Sequence, residues 1–528
     1  MKESAPSAHV TLDACEREPL AFSGRIQDVG ALFATAPQSQ TITHHSANIE
    51  RWFDLPEHNG ERQLADFFRD DCAYFLHRRK RIFEDQHFIV RGVVTNRGRE
   101  GDLLLSEHEG ATLYEFEPRS ESEPDSQAEP EPGPSARDPS ITYDTTVVPS
   151  SIPIEQLLSR VYELSAYPKI MLYRFLEDGA GEVVAELSDQ QLDAYQGLRF
   201  PSSDIPKIAR SLYIDNPFRL IFDTQGASAD IIATNANDAV IDLSLSTLRS
   251  VSPVHVEYLG NMGVRSSASF PVRVMGKLWG LLAMHAPTPT PIRIEERLRI
   301  VQIIEQELAR RLMDSRVREN HRRFNANVDL LERSASTLVA LLQQPQVVDA
   351  LPSPLEELID YDTLVVRING IAVTPLQGIS AEEAETLADI GARHATRGVV
   401  ALDTLGQFAE QEASFRRRAS GLLYATLAPT AQAGRLEILW VRKEQASAVT
   451  WAGKPEKLRH VVDGEERISP RKSFAAWRGT TEGVCRPWSS SDQMLASKLL
   501  VRVLAIMRGG EDRPTRPGQG PSKGMGQA

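Results

Sequence analysis

Apolar and polar positions along the chain fall into three blocks, set apart by stretches with almost nothing to bury. In the first block, FIVRGVVT at 88–95, DLLLSE at 102–107 and ATLYEFEP at 111–118 read as strands, and the mixed stretch 62–80 reads as a helix. Together they predict a small α+β domain over 1–117. Residues 118–140, PRSESEPDSQAEPEPGPSARDPS, are mostly Pro, Ser and Glu and predict a disordered linker. A second domain, 141–315, opens with an apolar-periodic helix at 152–166 and a strand at 170–175. Near its end lies a buried strand pair, SASFPVRVMGKLWGLLAMHA at 267–286, with Gly276-Lys277 as the turn signal.

Residues 293–343 predict one or two long helices, with Phe324, Val328, Leu331, Ala335, Leu338 and Leu342 spaced four and three apart as in a heptad seam. About 45 helical residues would span roughly 65–75 Å, so the element reads as a connector whose seam serves helix pairing or dimerisation. A third domain, 316–508, repeats the α+β pattern with strands near 362–374 and 434–442, helices near 380–397 and 405–419, and a closing amphipathic helix at 489–508. The tail 509–528 has nothing to bury. Its GGED run superficially matches a cyclase motif, but too few residues follow it for such a domain.

Composition narrows the function classes. The 528 residues carry a net charge of −13, which disfavours a nucleic-acid partner. The N-terminus lacks the apolar centre of a secretory signal, and no run is long and apolar enough for a membrane span. Three cysteines far apart (Cys15, Cys72 and Cys485) point to a reducing, cytoplasmic setting rather than a disulfide framework. Cys72 reads as a core residue and Cys485 as a bystander.

Several residues stand out from core packing. Cys15 lies in a charged stretch with no core of its own. Asp204 sits between prolines in YQGLRFPSSDIPKIARSLY, at 195–213. Arg219 and Arg249 suit capture of carboxylates, although either alone is more often half of a surface ion pair. His285, on an apolar strand, taken alone reads as a satisfied core histidine.

The combination is more specific. LDACEREPLAFSGRIQDVGALF resembles the start of phytochromes, and FPSSDIP resembles the family's P-A-S-D-I-P stretch, with Ser202 in place of alanine. LRSVSPVHVEYLGNMGVRSSASF at 248–270 and GKLWGLLAMH at 276–285 are similar to the family's pocket-lining segments. WAGKPEK at 451–457 and SPRKSFAAW at 469–477 resemble the two strands of its "tongue", about 445–490. The resemblance implies three tandem sensory domains, PAS, GAF and PHY, with an N-terminal knot. It implies biliverdin IXα joined by a thioether to Cys15, with Arg219 and Arg249 on the propionates beside Tyr213, Ser267 and Ser269. His255 and the carbonyl of Asp204 would then lie near the pyrrole nitrogens, and His285 near the D-ring carbonyl. Tyr173, Phe200 and Tyr258 would wall that ring. Arg471, with Ser473 beside it in the tongue motif, would form a bidentate pair with Asp204. Isomerisation of the pigment would rearrange that pair, refold the tongue and signal through the long helices.

Two departures from the family pattern concern the photocycle rather than attachment: Asp28-Val29 stands where the family has Pro-His, and Ala286 where a second histidine is common. The chain carries no kinase or cyclase motif, so the expectation is a non-enzymatic sensor, homodimeric through its long helices, acting on an unidentified partner. The alternatives are the sensory part of a light-regulated histidine kinase and a pigment-free ligand-binding scaffold.

Overall fold

The computed structural model describes residues 20–55, 61–69, 79–83, 86–108, 110–119, 153–176, 179–189, 191–235, 240–406, 413–429, 434–445, 448–455, 458–462, 465–469, 471–480 and 483–509. Cys15, Cys72, the linker from 120 and the tail from 510 lie outside them. The chain forms two compact units, 1–313 with 449–479, and 314–448 with 480–528. The tongue, counted with the third domain by sequence, thus packs in the first unit.

In the first unit, β1 (Arg25–Gln27), β2 (Ala31–Thr35), β3 (Ile42–Ser46), β4 (Lys80–Phe83), β5 (His87–Val94), β6 (Glu100–His108) and β7 (Ala111–Pro118) supply one sheet. The helix expected at 62–80 is not seen at its described ends. Leu64–Phe67 is a tight 3₁₀ turn and Lys80 already belongs to β4. Phe67 and Phe68 are drawn into a cluster with Phe33 and Phe53, with ring centroids 4.8 to 6.4 Å apart. Two consecutive buried rings do not fit the single apolar stripe of a surface helix.

The second sheet is built from β8 (Lys169–Phe175), β9 (Gly181–Ser188), β10 (Arg199–Phe200), β11 (Arg219–Ile221), β13 (Ser266–Val274) and β14 (Lys277–Ala286), while β12 (Ser228–Ala233) crosses to pair with β1 and β3 of the first sheet. The N-terminal segment is therefore stitched to the second domain by main-chain pairing, Arg25 opposite Asp230 and Gln27 opposite Ser228. The hairpin at 267–286 is present, but its turn is Met275-Gly276, with φ +53° and +73°, and Lys277 already pairs with Val274. A two-residue turn of this hand needs positive φ at both positions, which favours glycine at the second and is unusual for methionine. Strands Ala448–Ala452 and Ala476–Thr480 of the tongue extend this sheet beyond β10, with Arg199 opposite Trp451. WAGKPEK begins at the end of the first of these strands, and SPRKSFAAW runs out of a separate distal hairpin (458–462 with 465–469) through irregular backbone into the second.

The long helical stretch comprises Ile294–Gln302, a wider π turn at Ile303–Ala309, Arg310–Ala326 and, after Asn327, Val328–Gln343. In the second unit, a five-stranded sheet carries helices 328–343, 353–358 and 490–509 over one core and helix 381–394 over the other. The seam residues Leu331, Ala335, Leu338 and Leu342 pack in the former core with Leu495, Leu499 and Val503. That part of the heptad pattern thus pairs with the chain's own last helix, with Phe324 partly buried against the same core, while Val328 stays 43% exposed. Cys485 is buried against Gly421, and burial pushes its thiol up to about 12, so the bystander is an inert core residue.

Candidate functional site

Strand alternation sends every second residue of the second sheet to one face. The registers place Arg219 opposite Ser269, Ile221 opposite Ser267, Ser267 opposite His285, and Leu281 opposite Tyr173. These side chains and helices 207–215 and 253–261 enclose a cavity of about 240 Å³. Leu20, the first described residue after Cys15, also lines it.

One end of the cavity is cationic. Arg219 donates from Nη2 to the carbonyls of Arg249 (2.6 Å) and Ser250 (2.9 Å), and from Nη1 to that of Thr247 (3.3 Å). Arg249 donates to the carbonyls of Leu243 and Ser244, both at 3.0 Å. Both guanidiniums are thus oriented by carbonyl dipoles, and among the described residues neither has a carboxylate within ion-pair distance. Burial, and then the Arg249 charge, pull Arg219 down to about 9, while burial lowers Arg249. Tyr213 hydrogen-bonds Ser269 beside them and is raised by burial. Asn216, which sequence reasoning missed, lines the same end, and its Oδ1 has no partner among the described residues.

Beyond the arginines the lining carries two imidazoles and a neutralised ion pair. His285 is pushed down to about 3 by burial, then by Lys169 and His255, and its Nδ1 has no hydrogen-bond partner among the described residues. His255 falls to about 4 through burial and Arg219, and its ring stacks on Tyr258 at 5.8 Å. Both are uncharged at neutral pH. Tyr258 donates to Asp204 Oδ2 at 2.9 Å, and Arg471 Nη2 meets the same oxygen. The expected bidentate pair is therefore not formed, because Nη1 of Arg471 turns back to the carbonyls of Ala452 and, at 3.3 Å, Gly453. The pair is nearly closed off, its side chains 6% and 7% exposed. Phe474, three residues on, packs edge-on to Tyr258 with centroids 5.1 Å apart.

Tyr173 and Phe200 line the cavity with ring centroids 5.9 Å apart, and Gly181 makes room for Tyr173, whose ring any Cβ at 181 would overlap. Twelve of the fourteen residues singled out by sequence meet here: Tyr173, Phe200, Asp204, Tyr213, Arg219, Arg249, His255, Tyr258, Ser267, Ser269, His285 and Arg471. Ser473 does not. It is exposed, and its hydroxyl accepts from the Ala475 amide at 3.4 Å. Cys15 lies outside the described residues. Sequence also missed the buried pair Lys169–Glu186 at 3.0 Å, whose only signal was a lysine opening an apolar strand.

Three family models match in tandem: a PAS fold over 15–119, a GAF domain over 154–312 and a phytochrome region over 331–512. A bacteriophytochrome of Pseudomonas aeruginosa is 33% identical over 377 residues, covering 66% of this chain and 48% of its own. One from Xanthomonas campestris pv. campestris is 27% identical over 525 residues, 94% of this chain and 79% of its own. The chain thus spans about half the length of the Pseudomonas relative. Among solved structures, the Stigmatella aurantiaca phytochrome photosensory core module aligns with a TM-score of 0.68 at 26% identity, covering 95% of this chain and 99% of that one.

Proposed function

The chain belongs to the phytochrome family as a PAS–GAF–PHY photosensory module, and from that premise we propose that it is a red/far-red photoreceptor carrying biliverdin IXα as a thioether on Cys15. The observation behind this reading is the pairing of two buried guanidiniums, without a carboxylate partner among the described residues, with a His285 Nδ1 that likewise has no hydrogen-bond partner among them, in the same cavity. A ligand with two carboxylates on one edge and a polar group on the other supplies what both ends lack. The apolar and aromatic walls between them suit a flat conjugated ring system. The residues present fit such a pigment.

When bound, the pigment supplies the light absorption and the photoisomerisation. The chain's residues divide the remaining work. Arg219 and Arg249 would hold the two propionates, with Tyr213, Ser267 and Ser269 as hydrogen-bond partners. His255 and the Asp204 carbonyl would serve the pyrrole nitrogens, and His285 the outer ring. Asp204 holds Tyr258 and Arg471 on one oxygen, so withdrawing either donor changes how firmly the tongue is tied to the cavity. Release of Arg471 lets the tongue exchange strand for helix, and the helices at 294–343 pass the change to a partner protein. Homodimerisation through the exposed part of those helices, where Met313 and Val317 remain 43% and 52% exposed, completes the reading together with a cytoplasmic location. Among the described residues no helix is long and apolar enough to cross a membrane.

Co-expression with a biliverdin source tests the proposal. The expected product is blue-green, keeps its colour and zinc fluorescence on a denaturing gel, and shifts its absorption under red light. Denaturant-resistant colour in Cys15→Ser, or an unchanged spectrum after illumination, overturns it.

A further inference from the structure

Glu115 is a carboxylate of the first domain, on β7, and is only 2% exposed. Its partners all belong to the second domain. Oε1 accepts from Ser246 Oγ at 2.5 Å and the Leu248 amide at 2.8 Å, and Oε2 accepts from the Thr247 amide and hydroxyl, both at 2.9 Å. Four donors from three consecutive residues converge on one carboxylate. Ser246 Oγ in turn accepts the Arg249 amide at 2.9 Å, so the chain of hydrogen bonds runs from Glu115 to the backbone of the cavity arginine. The carbonyls of Thr247 and Arg249 are those that orient Arg219. One side chain from another domain therefore fixes the loop that presents one guanidinium and aims the other. Its negative charge also offsets the repulsion between the two cations from behind, without occupying the cavity itself.

We propose that Glu115 is the positioning residue of the anion clamp, a cross-domain strut that sets Arg249 and Arg219 for a dicarboxylate ligand. The inference rests on the bilin-binding reading above. It assigns the first domain a part in pigment selection beyond carrying the attachment segment. A strut that acts only through the arginines matters for the ligand's carboxylates and not for its rings. That distinction separates it from a residue that merely holds two domains together.

The test compares initial rates of pigment uptake by the full chain, with biliverdin and with its dimethyl ester, for wild type, Glu115→Gln, Arg249→Ala and the double variant. Glu115→Gln keeps the side chain's shape but replaces acceptor capacity with an amide donor that faces other donors. The expected result is about a tenfold slower uptake of biliverdin, the equivalent of one weak charge-assisted hydrogen bond, and less than about a twofold change with the ester. In the Arg249→Ala background, Glu115→Gln has a smaller effect than in wild type, because only Arg219 remains for it to aim. Should Glu115→Gln not fold, Ser246→Ala cuts the relay from Glu115 to the Arg249 amide and carries the same expectation. Equal losses with acid and ester overturn the strut and leave the photoreceptor reading intact. Wild type that takes up neither pigment overturns both.

Discussion

The two ends of the cavity handle charge in opposite ways. At the arginine end, two cations are buried near each other, oriented by carbonyls, with the Glu115 charge behind them and no counterion in front among the described residues. At the tongue end, Asp204 and Arg471 neutralise each other although 267 positions separate them in the chain. A charge left uncompensated by the fold selects a ligand that compensates it. A charge compensated by a distant segment ties that segment down and makes its attachment sensitive to anything that competes for the carboxylate. The first arrangement is built for binding, and the second for switching.

The sharpest way to break that comparison is to empty the cationic end. Arg219→Ala with Arg249→Ala removes two charge-assisted anchors, each worth about 1.5–3 kcal/mol, so pigment affinity should fall by two orders of magnitude or more. The dimethyl ester should show little of this loss. Retained affinity for the free acid, measured by titration, would mean that the arginines do not select the ligand. At the other end, Arg471→Ala strands the Asp204 carboxylate in a nearly closed site. Breaking a buried pair by removing one partner costs about 3–5 kcal/mol. Here the measurement is the red/far-red difference spectrum. Pigment should remain attached while photoconversion is impaired, and Asp204→Ala should behave alike. Wild-type spectra for both variants would remove the tongue from the switch.

The apolar hairpin behind the binding end was legible from local pattern, but its site residues were singled out through the family resemblance. Ser267, Ser269 and His285 stand at alternate positions of an apolar hairpin, and the hairpin's apolar run is plain in the sequence. The switching end was legible only through family resemblance, because no local pattern links Asp204 to Arg471. Glu115 was hidden for a different reason. Leu113, Tyr114, Glu115 and Phe116 are all buried, so β7 is covered on both faces and alternation gives no hint that a second domain lies against it. The heptad seam was real, but a seam specifies an apolar partner without saying which, and the chain's own last helix filled the role. Met275 in the hairpin turn defied turn statistics, which favour glycine, asparagine and aspartate there.

The next prediction concerns acid. His255 and His285 are held neutral, at about 4 and about 3, against an ordinary value near 6.5. The unfolded chain therefore binds more protons than the folded one as pH falls through that interval, and stability is lost from about pH 6.5 downward. Each histidine contributes up to about 3 kcal/mol of this loss by pH 4, taking about 1.4 kcal/mol per unit. Urea titrations of the pigment-free protein at pH 7 and pH 5 should show the decline, and His285→Gln should flatten it. An equal decline in the variant would place the acid sensitivity elsewhere.

The smallest expected effect isolates one hydrogen bond within the switch. Tyr258→Phe removes the second donor to Asp204 Oδ2 while leaving Arg471 in place and the ring packed against Phe474. Because the carboxylate keeps its charged partner, the loss is that of a single hydrogen bond to a carboxylate, about 1.5–3 kcal/mol and below the cost of losing Arg471. Thermal unfolding of the pigment-free protein should shift by only a few degrees. Photoconversion should change in rate or extent without being abolished, in contrast to Arg471→Ala. If Tyr258→Phe instead matched Arg471→Ala in both measurements, Asp204 would be held chiefly by the phenol, and the tongue's guanidinium would be an accessory to a contact made wholly within the second domain.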